Sequence, residues 1–297
     1  MDLSDIIDLV IATLLFVVGL YTGLLFCIPL ASIYQERKIW LKPGVKPLNI
    51  VGYSKVYLYN LIWFTGSFVG CISAILLQPF YSASLDYAIN SVVEPVIGKA
   101  CHMILGPVEI IGSENLPAND ESVIYAANHC SQIDIGVSYY LRRSFKWISK
   151  RSVVYMPGVG MVMVLGRHLL IDRKGKSSIK KMYEEASNLL SKILTDNEKG
   201  SIFIFPQGTR SMSERLPFKD GAFNMAVRDE VPIIPISIDI PDNLWNDIYP
   251  FASPRTTKIT IHKPIAVAKD SDKENLKKLV GDAIYSVLPS REDRKQR

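Results

Sequence analysis

Two long stretches without a charged side chain constrain this sequence more than anything else in it. One runs from Leu9 to Tyr34 and the other from Val56 to Leu85. As helices, at about 1.5 Å per residue, both are long enough to cross the roughly 30 Å hydrocarbon core of a bilayer. Both are also too long for ordinary amphipathic helices, which leaves membrane association or a pair of fully buried helices. The first opens on Asp2 and Asp5 rather than basic residues, and its apolar stretch is long, so it does not read as a cleaved signal. Between the two runs, Arg37, Lys38, Lys42, Lys46 and Lys55 face only Glu36, which places this connection on the cytoplasmic side. Two full crossings would put everything after Leu85 on the opposite side. A hairpin that enters one leaflet and returns, bent at Pro29 and Pro79, avoids that. Residues 1–90 are therefore expected to be a membrane-associated two-helix region, and 91–297 a separate domain.

Beyond about residue 105 the pattern changes. Short β-rich runs are expected to be strands at 123–127, 145–148, 169–171, 201–205, 233–238 and 258–261. Helical patterns lie between them at 135–141, 177–194, 221–228 and 273–287. This alternation predicts an α/β domain, a mixed sheet flanked by helices. The four cysteines form no CxxC pair and read as small buried residues, and the four histidines lack metal-binding spacing. The net charge of +5 is spread without a Lys/Arg tract interleaved with aromatics, so nucleic acid is not an expected partner. An anionic membrane surface or a phosphate-bearing substrate fits the bias.

Three segments carry candidate chemistry. Asn128-His129-Cys130-Ser131-Gln132-Ile133-Asp134 follows the first strand and leads into a helix, where α/β folds place reactive groups. Across a turn the Asp134 carboxylate can reach one imidazole nitrogen of His129. That leaves the other to accept a proton from a hydroxyl. The spacing alone is weak and favours a loop histidine beside a helix-capping Asp, with Ser131 or Asp134 as the cap. Phe205-Pro206-Gln207-Gly208-Thr209-Arg210 leaves a strand into a loop whose amides, hydroxyl and guanidinium suit a phosphate. Asp172-Arg173 closes another strand, and Lys150 ends one more. No GxSxG, P-loop or GxGxxG is present.

Taken in order, NHCSQID, LLIDR, FPQGTRS and VPIIPI resemble the four motif blocks of the glycerolipid acyltransferases, above all the lysophosphatidic acid acyltransferases. The stretches Arg143–Lys150 and Phe218–Phe223 are also similar to that family. The resemblance implies transfer of a fatty acyl group from acyl-CoA or acyl carrier protein to 1-acylglycerol-3-phosphate. It implies His129 as general base and Asp134 as its orienting partner. Lys150, Arg173, Gly208, Thr209 and Arg210 would hold the phosphate, with Gln207 as an acceptor contact. No metal or cofactor is implied. The partners would be a lipid acceptor in a membrane and the acyl donor, with the active site on the cytosolic face of a bacterial inner membrane, the endoplasmic reticulum or a plastid membrane. Two positions depart from the family pattern: Gln207 stands where Glu is usual, and Arg167 where Gly is usual. These keep another lysolipid or glycerol-3-phosphate open as acceptor. A lipid hydrolase and a catalytically silent membrane protein are the readings from other classes.

Overall fold

A computed structural model describes residues 50–118, 121–171, 200–211, 215–241 and 255–290, with isolated residues elsewhere. The second apolar run is helical. Helix α1 (Ile50–Leu61), a π turn at Ile62–Gly66, α2 (Ser67–Leu77) and a 3₁₀ turn at Gln78–Phe80 run on as one rod. Within it Ser54–Phe80 is long and apolar enough to cross a membrane, with a mean hydropathy of 1.8, and only 28% of its apolar stretch is buried.

Pro79 does mark a bend, but the arm that returns is one the sequence reading did not expect. Helix α3 (Leu85–Ala88), a second π turn at Ile89–Val93 and α4 (Glu94–Met103) form a continuous helix that packs back along the first. The expected boundary after residue 90 falls inside it. The first apolar run, which was to supply the other arm of the hairpin, lies largely outside the described residues. The second π turn has a local cause. Pro95 has no N–H to offer the carbonyl one turn back, and beside it the Glu94 N–H reaches five residues back to Ile89. Small residues let the two arms meet: a Cβ on Gly66 would lie 2.8 Å from Ile97, and one on Gly70 2.6 Å from Val93.

The rest alternates strand and helix as expected: β1 (Val108–Ile111), β2 (Ile124–Ala127), α5 (Asp134–Ser138), β3 (Phe145–Lys150), α6 (Val159–Leu165), β4 (Leu169–Ile171), β5 (Ser201–Ile204), α7 (Gly221–Asp229), β6 (Ile233–Asp239), β7 (Thr257–Ile261) and α8 (Lys273–Tyr285). The six expected strands are present within a residue or two. Strand β1 was not expected, and the helix expected over 177–194 lies outside the described residues apart from Glu184 and Asn188. Among the described residues the strands form one sheet in the order β1-β7-β6-β2-β5-β3-β4, parallel throughout except for β6 against β7.

A parallel sheet needs both faces covered, and β2 shows that here. Ile124 and Ala126 point into one core with Ile202, Phe223, Ile233 and Val280; Tyr125 and Ala127 point into the other with Phe203, Ile234 and Ile236. Helices α7 and α8 close the first side. The second is closed by α5 together with the long apolar helices, which contribute Val56, Tyr59, Phe64 and Cys101. The register aligns Ala126 of β2 with Ile204 of β5, so the loops after these neighbouring strands leave the same edge side by side. That edge is where the candidate motifs meet.

Candidate active site

Beyond Ala127 the chain must leave the sheet without abandoning β6. Asn128 achieves this with its side chain: Nδ2 donates to the Ile238 carbonyl at 2.9 Å, and the Ile238 N–H donates back to Oδ1 at 2.8 Å. The side-chain amide takes the place of one backbone rung, and the main chain is free to turn. His129 follows, its backbone held at both ends by the loop after β5. Its N–H donates to Gln207 Oε1 at 2.7 Å, and its carbonyl accepts from the Ser211 N–H at 2.8 Å.

The imidazole stacks on Phe205, ring centroids 4.0 Å apart and 10° from parallel. Its Nδ1 lies 2.7 Å from Asp134 Oδ2. The carboxylate is fully buried, and the same oxygen accepts the N–H groups of Cys130 (2.6 Å) and Ser131 (2.9 Å). Asp134 is the first residue of α5 and reaches back to gather the turn, while the Ser131 hydroxyl has no partner among the described residues. One oxygen thus fixes both the loop and the ring. A carboxylate on Nδ1 calls for the proton there, which leaves the Nε2 lone pair free.

His129 lines a cavity of about 780 Å³. Its walls differ in chemistry. One is apolar and aromatic and includes Tyr59, Trp63 and Ser67 of the long helix. The other carries Lys150 from the end of β3, Gly208, Thr209 and Arg210 from the loop after β5, and Lys219 from just before α7. Gly208 has φ +71°, a region that costs other residues strain, and a Cβ there would lie 2.6 Å from Lys219 Nζ. Glycine is thus favoured by the turn, and the lysine lies close across it.

Of the residues singled out from sequence, the structure brings His129, Lys150, Gly208, Thr209 and Arg210 to one cavity, with Asp134 buried behind His129. Arg173 lies outside the described residues. Gln207 does not line the cavity; it sits behind His129, 3% exposed, with Nε2 donating to the Tyr285 hydroxyl at 3.0 Å. Sequence reasoning did not assign Lys219, whose only signal was the similarity of Phe218–Phe223 to the family. It did not see Asn128 or Tyr285 either, since their roles depend on partners far along the chain. Arg167, the other departure, has φ +51°, which accounts for the usual glycine there. Among the described residues no group of three or more His, Cys, Asp or Glu side chains is arranged to hold a metal.

Comparison with known proteins supports the motif reading. Residues 107–239, which contain the His129–Asp134 turn and the loop after β5, match the Acyltransferase family model. Curated relatives include a 1-acyl-sn-glycerol-3-phosphate acyltransferase of Chlamydomonas reinhardtii, 35% identical over 61% of this chain and 53% of the relative. Another is a chloroplastic enzyme of the same name from Arabidopsis thaliana, 33% identical over 54% of this chain and 44% of the relative. The chain thus spans about half the length of these curated relatives. The crystal structure of the 1-acyl-sn-glycerophosphate acyltransferase of Thermotoga maritima aligns with a TM-score of 0.61 at 24% identity. It covers 81% of this chain and 96% of that one, so the two share a fold over most of this chain.

Proposed function

We propose that the protein transfers a fatty acyl group from an acyl thioester, acyl-CoA or acyl carrier protein, to the free hydroxyl of 1-acylglycerol-3-phosphate, giving phosphatidic acid. The observation that carries this is the placement of His129. Its Nδ1 is taken by Asp134, and it lines a cavity with cations on one wall and apolar helix on the other.

The steps follow from that arrangement. His129 Nε2 takes the hydroxyl proton as the oxygen attacks the thioester carbonyl. Buried Asp134 stabilises the imidazolium that forms. The C–S bond breaks, and the imidazolium returns its proton to the departing thiolate. A positioned base supplies about 10²–10⁴-fold. Lys150, Arg210 and Lys219, with the Gly208 and Thr209 segment, hold the phosphate and so place the hydroxyl. Arg173 adds a further cation by family resemblance. The acyl chains lie against the apolar wall.

The exposed apolar surface of the long helices, including Leu76, Phe80, Val92, Val96 and Met103, enters the bilayer, with the cavity on the cytosolic side. The acceptor then reaches the base without leaving the membrane. The test is purified protein in lipid vesicles, supplied with labelled acyl-CoA or acyl carrier protein and a panel of lysolipids and glycerol-3-phosphate. Phosphatidic acid is expected as the main product. Faster acylation of another acceptor, or release of free fatty acid alone, would overturn the assignment.

A further inference from the structure

Gln207 and Tyr285 have no part in the chemistry just described, yet both are tied to it. The Gln207 side chain is buried, and among the described residues each end has one partner: Oε1 accepts the His129 N–H and Nε2 donates to the Tyr285 hydroxyl. Burial pushes the Tyr285 phenol up to about 12, with Cys130 adding to the rise, so the hydroxyl stays protonated near neutrality. Tyr285 is itself well anchored. The preceding carbonyl, of Ile284, accepts from Ser237 Oγ at 2.5 Å, and the Ile284 side chain is fully buried. The Tyr285 ring packs against Phe218 at 5.8 Å, and the Arg215 guanidinium lies 5.0 Å from its centre.

We infer that Gln207 and Tyr285 are positioning residues, through which the end of the C-terminal helix fixes the backbone of His129. This rests on the reading of His129 as the base. The geometry explains why the side chain at 207 is occupied: His129 sits on a loop, and its Nε2 must be held within about half an ångström of a productive position. The carboxylate of Asp134 holds the ring and the backbone amides just after it, and the Ser211 N–H holds the His129 carbonyl. Gln207 holds the remaining point, the His129 N–H on the strand side. Gln and Glu can both accept the His129 N–H. They differ in the second bond: Gln donates to Tyr285, whereas Glu requires Tyr285 to donate.

The experiment compares Tyr285→Phe, Gln207→Leu, Gln207→Glu and the combinations of Tyr285→Phe with each, as full-length protein in vesicles. Tyr285→Phe removes one oxygen atom and is expected to lower kcat about tenfold, the worth of one hydrogen bond. Both KM values should stay within about twofold. Gln207→Leu should cost more, and adding Tyr285→Phe to it should cost nothing further, since the two act through one contact. Gln207→Glu should retain most of kcat alone and lose it when combined with Tyr285→Phe.

Hydrogen exchange of the His129 amide, followed without substrate, should accelerate by about tenfold in Tyr285→Phe while the overall Tm barely moves. A rise in acceptor KM at unchanged kcat in Gln207→Leu would make Gln207 a substrate contact and overturn the inference. Unchanged exchange at His129 in Tyr285→Phe would overturn it as well. If Gln207→Leu does not fold, Tyr285→Phe decides alone. The exchange measurement also separates this inference from the proposed activity: a wild-type protein that makes no phosphatidic acid refutes the activity and leaves the exchange result standing.

Discussion

The sheet has two faces with the same inner chemistry and opposite outer chemistry. On one side α7 and α8 bury Phe223, Met225, Leu276, Val280 and Ile284, and their outer surfaces carry ion pairs such as Lys273–Asp220 and Lys278–Asp282. On the other, α1, α2 and α4 bury Val56, Tyr59 and Cys101, while Leu76, Leu77, Phe80, Val92, Val96 and Met103 remain exposed. A helix that faces only water on its far side is amphipathic; one that is apolar all round has apolar surroundings on both sides. On the proposed function the sheet is a wall between two solvents, and His129 stands at its edge on the apolar side.

The sharpest way to break this comparison is at His129. His129→Ala should lower acyl transfer to a vesicle-borne acceptor by about 10²–10⁴-fold and leave vesicle binding unchanged, measured by product formation and flotation. Activity near wild type would remove His129 from the reaction. Next comes the outer surface. Val92→Lys with Val96→Lys places two charges on the exposed apolar face and should weaken vesicle binding by at least about 100-fold, given the roughly 2.5–3.5 kcal/mol cost of each lysine at mid-bilayer. Leu279→Lys on α8 is the matched control and should change binding by less than about twofold. Equal loss from both would abolish the distinction between the faces.

A smaller effect is expected where the apolar helices meet the sheet. There the Gly166 carbonyl accepts from Lys146 Nζ (2.7 Å) and Asn90 Nδ2 (3.1 Å), and Arg167 is held in the left-handed region. Arg167→Gly relieves roughly 1 kcal/mol of strain, partly offset by chain entropy, and should raise stability by less than that in denaturant titration. The smallest effect belongs to the polar face. Hydrogen bonds from Lys277 and Lys273 lower the Asp220 pKa below its usual 3.8. Its contribution is present above the unfolded value and is lost as pH falls through the lower folded value. Asp220→Asn should therefore flatten the acid limb of the stability profile slightly. The small loss of stability at neutral pH should vanish in strong acid, and a difference from wild type that persists there would show that some other cause is responsible.

How much of this could be read from sequence differed by element. The central strands were legible because burial on both faces makes them short β-branched runs between turns. Strand β1 was not: it lies at the sheet edge, carries Glu109, and is mostly exposed. Helix α3–α4 was hidden by Pro95 and by the β-branched residues Ile89, Val92, Val93, Val96 and Ile97, and is held by packing rather than propensity. At the site, His129 and Asp134 are a spacing that carries little alone. What joins them to Arg210 is the adjacency of β2 and β5, and strand order is not written locally. The same holds for Gln207 and Tyr285, which meet across 78 positions through side chains alone.

The π turn at Ile62–Gly66 has a consequence for the cavity wall. Residues eight apart on a regular α-helix are about 80° out of phase, so Tyr59 and Ser67 would face different ways. A π turn takes more residues per revolution and winds that drift back. Tyr59, Trp63 and Ser67 then fall on one meridian of the rod, and all three line the cavity. Straightening the turn into regular α-helix at unchanged length would restore that drift and carry Tyr59 away from the wall it helps to form.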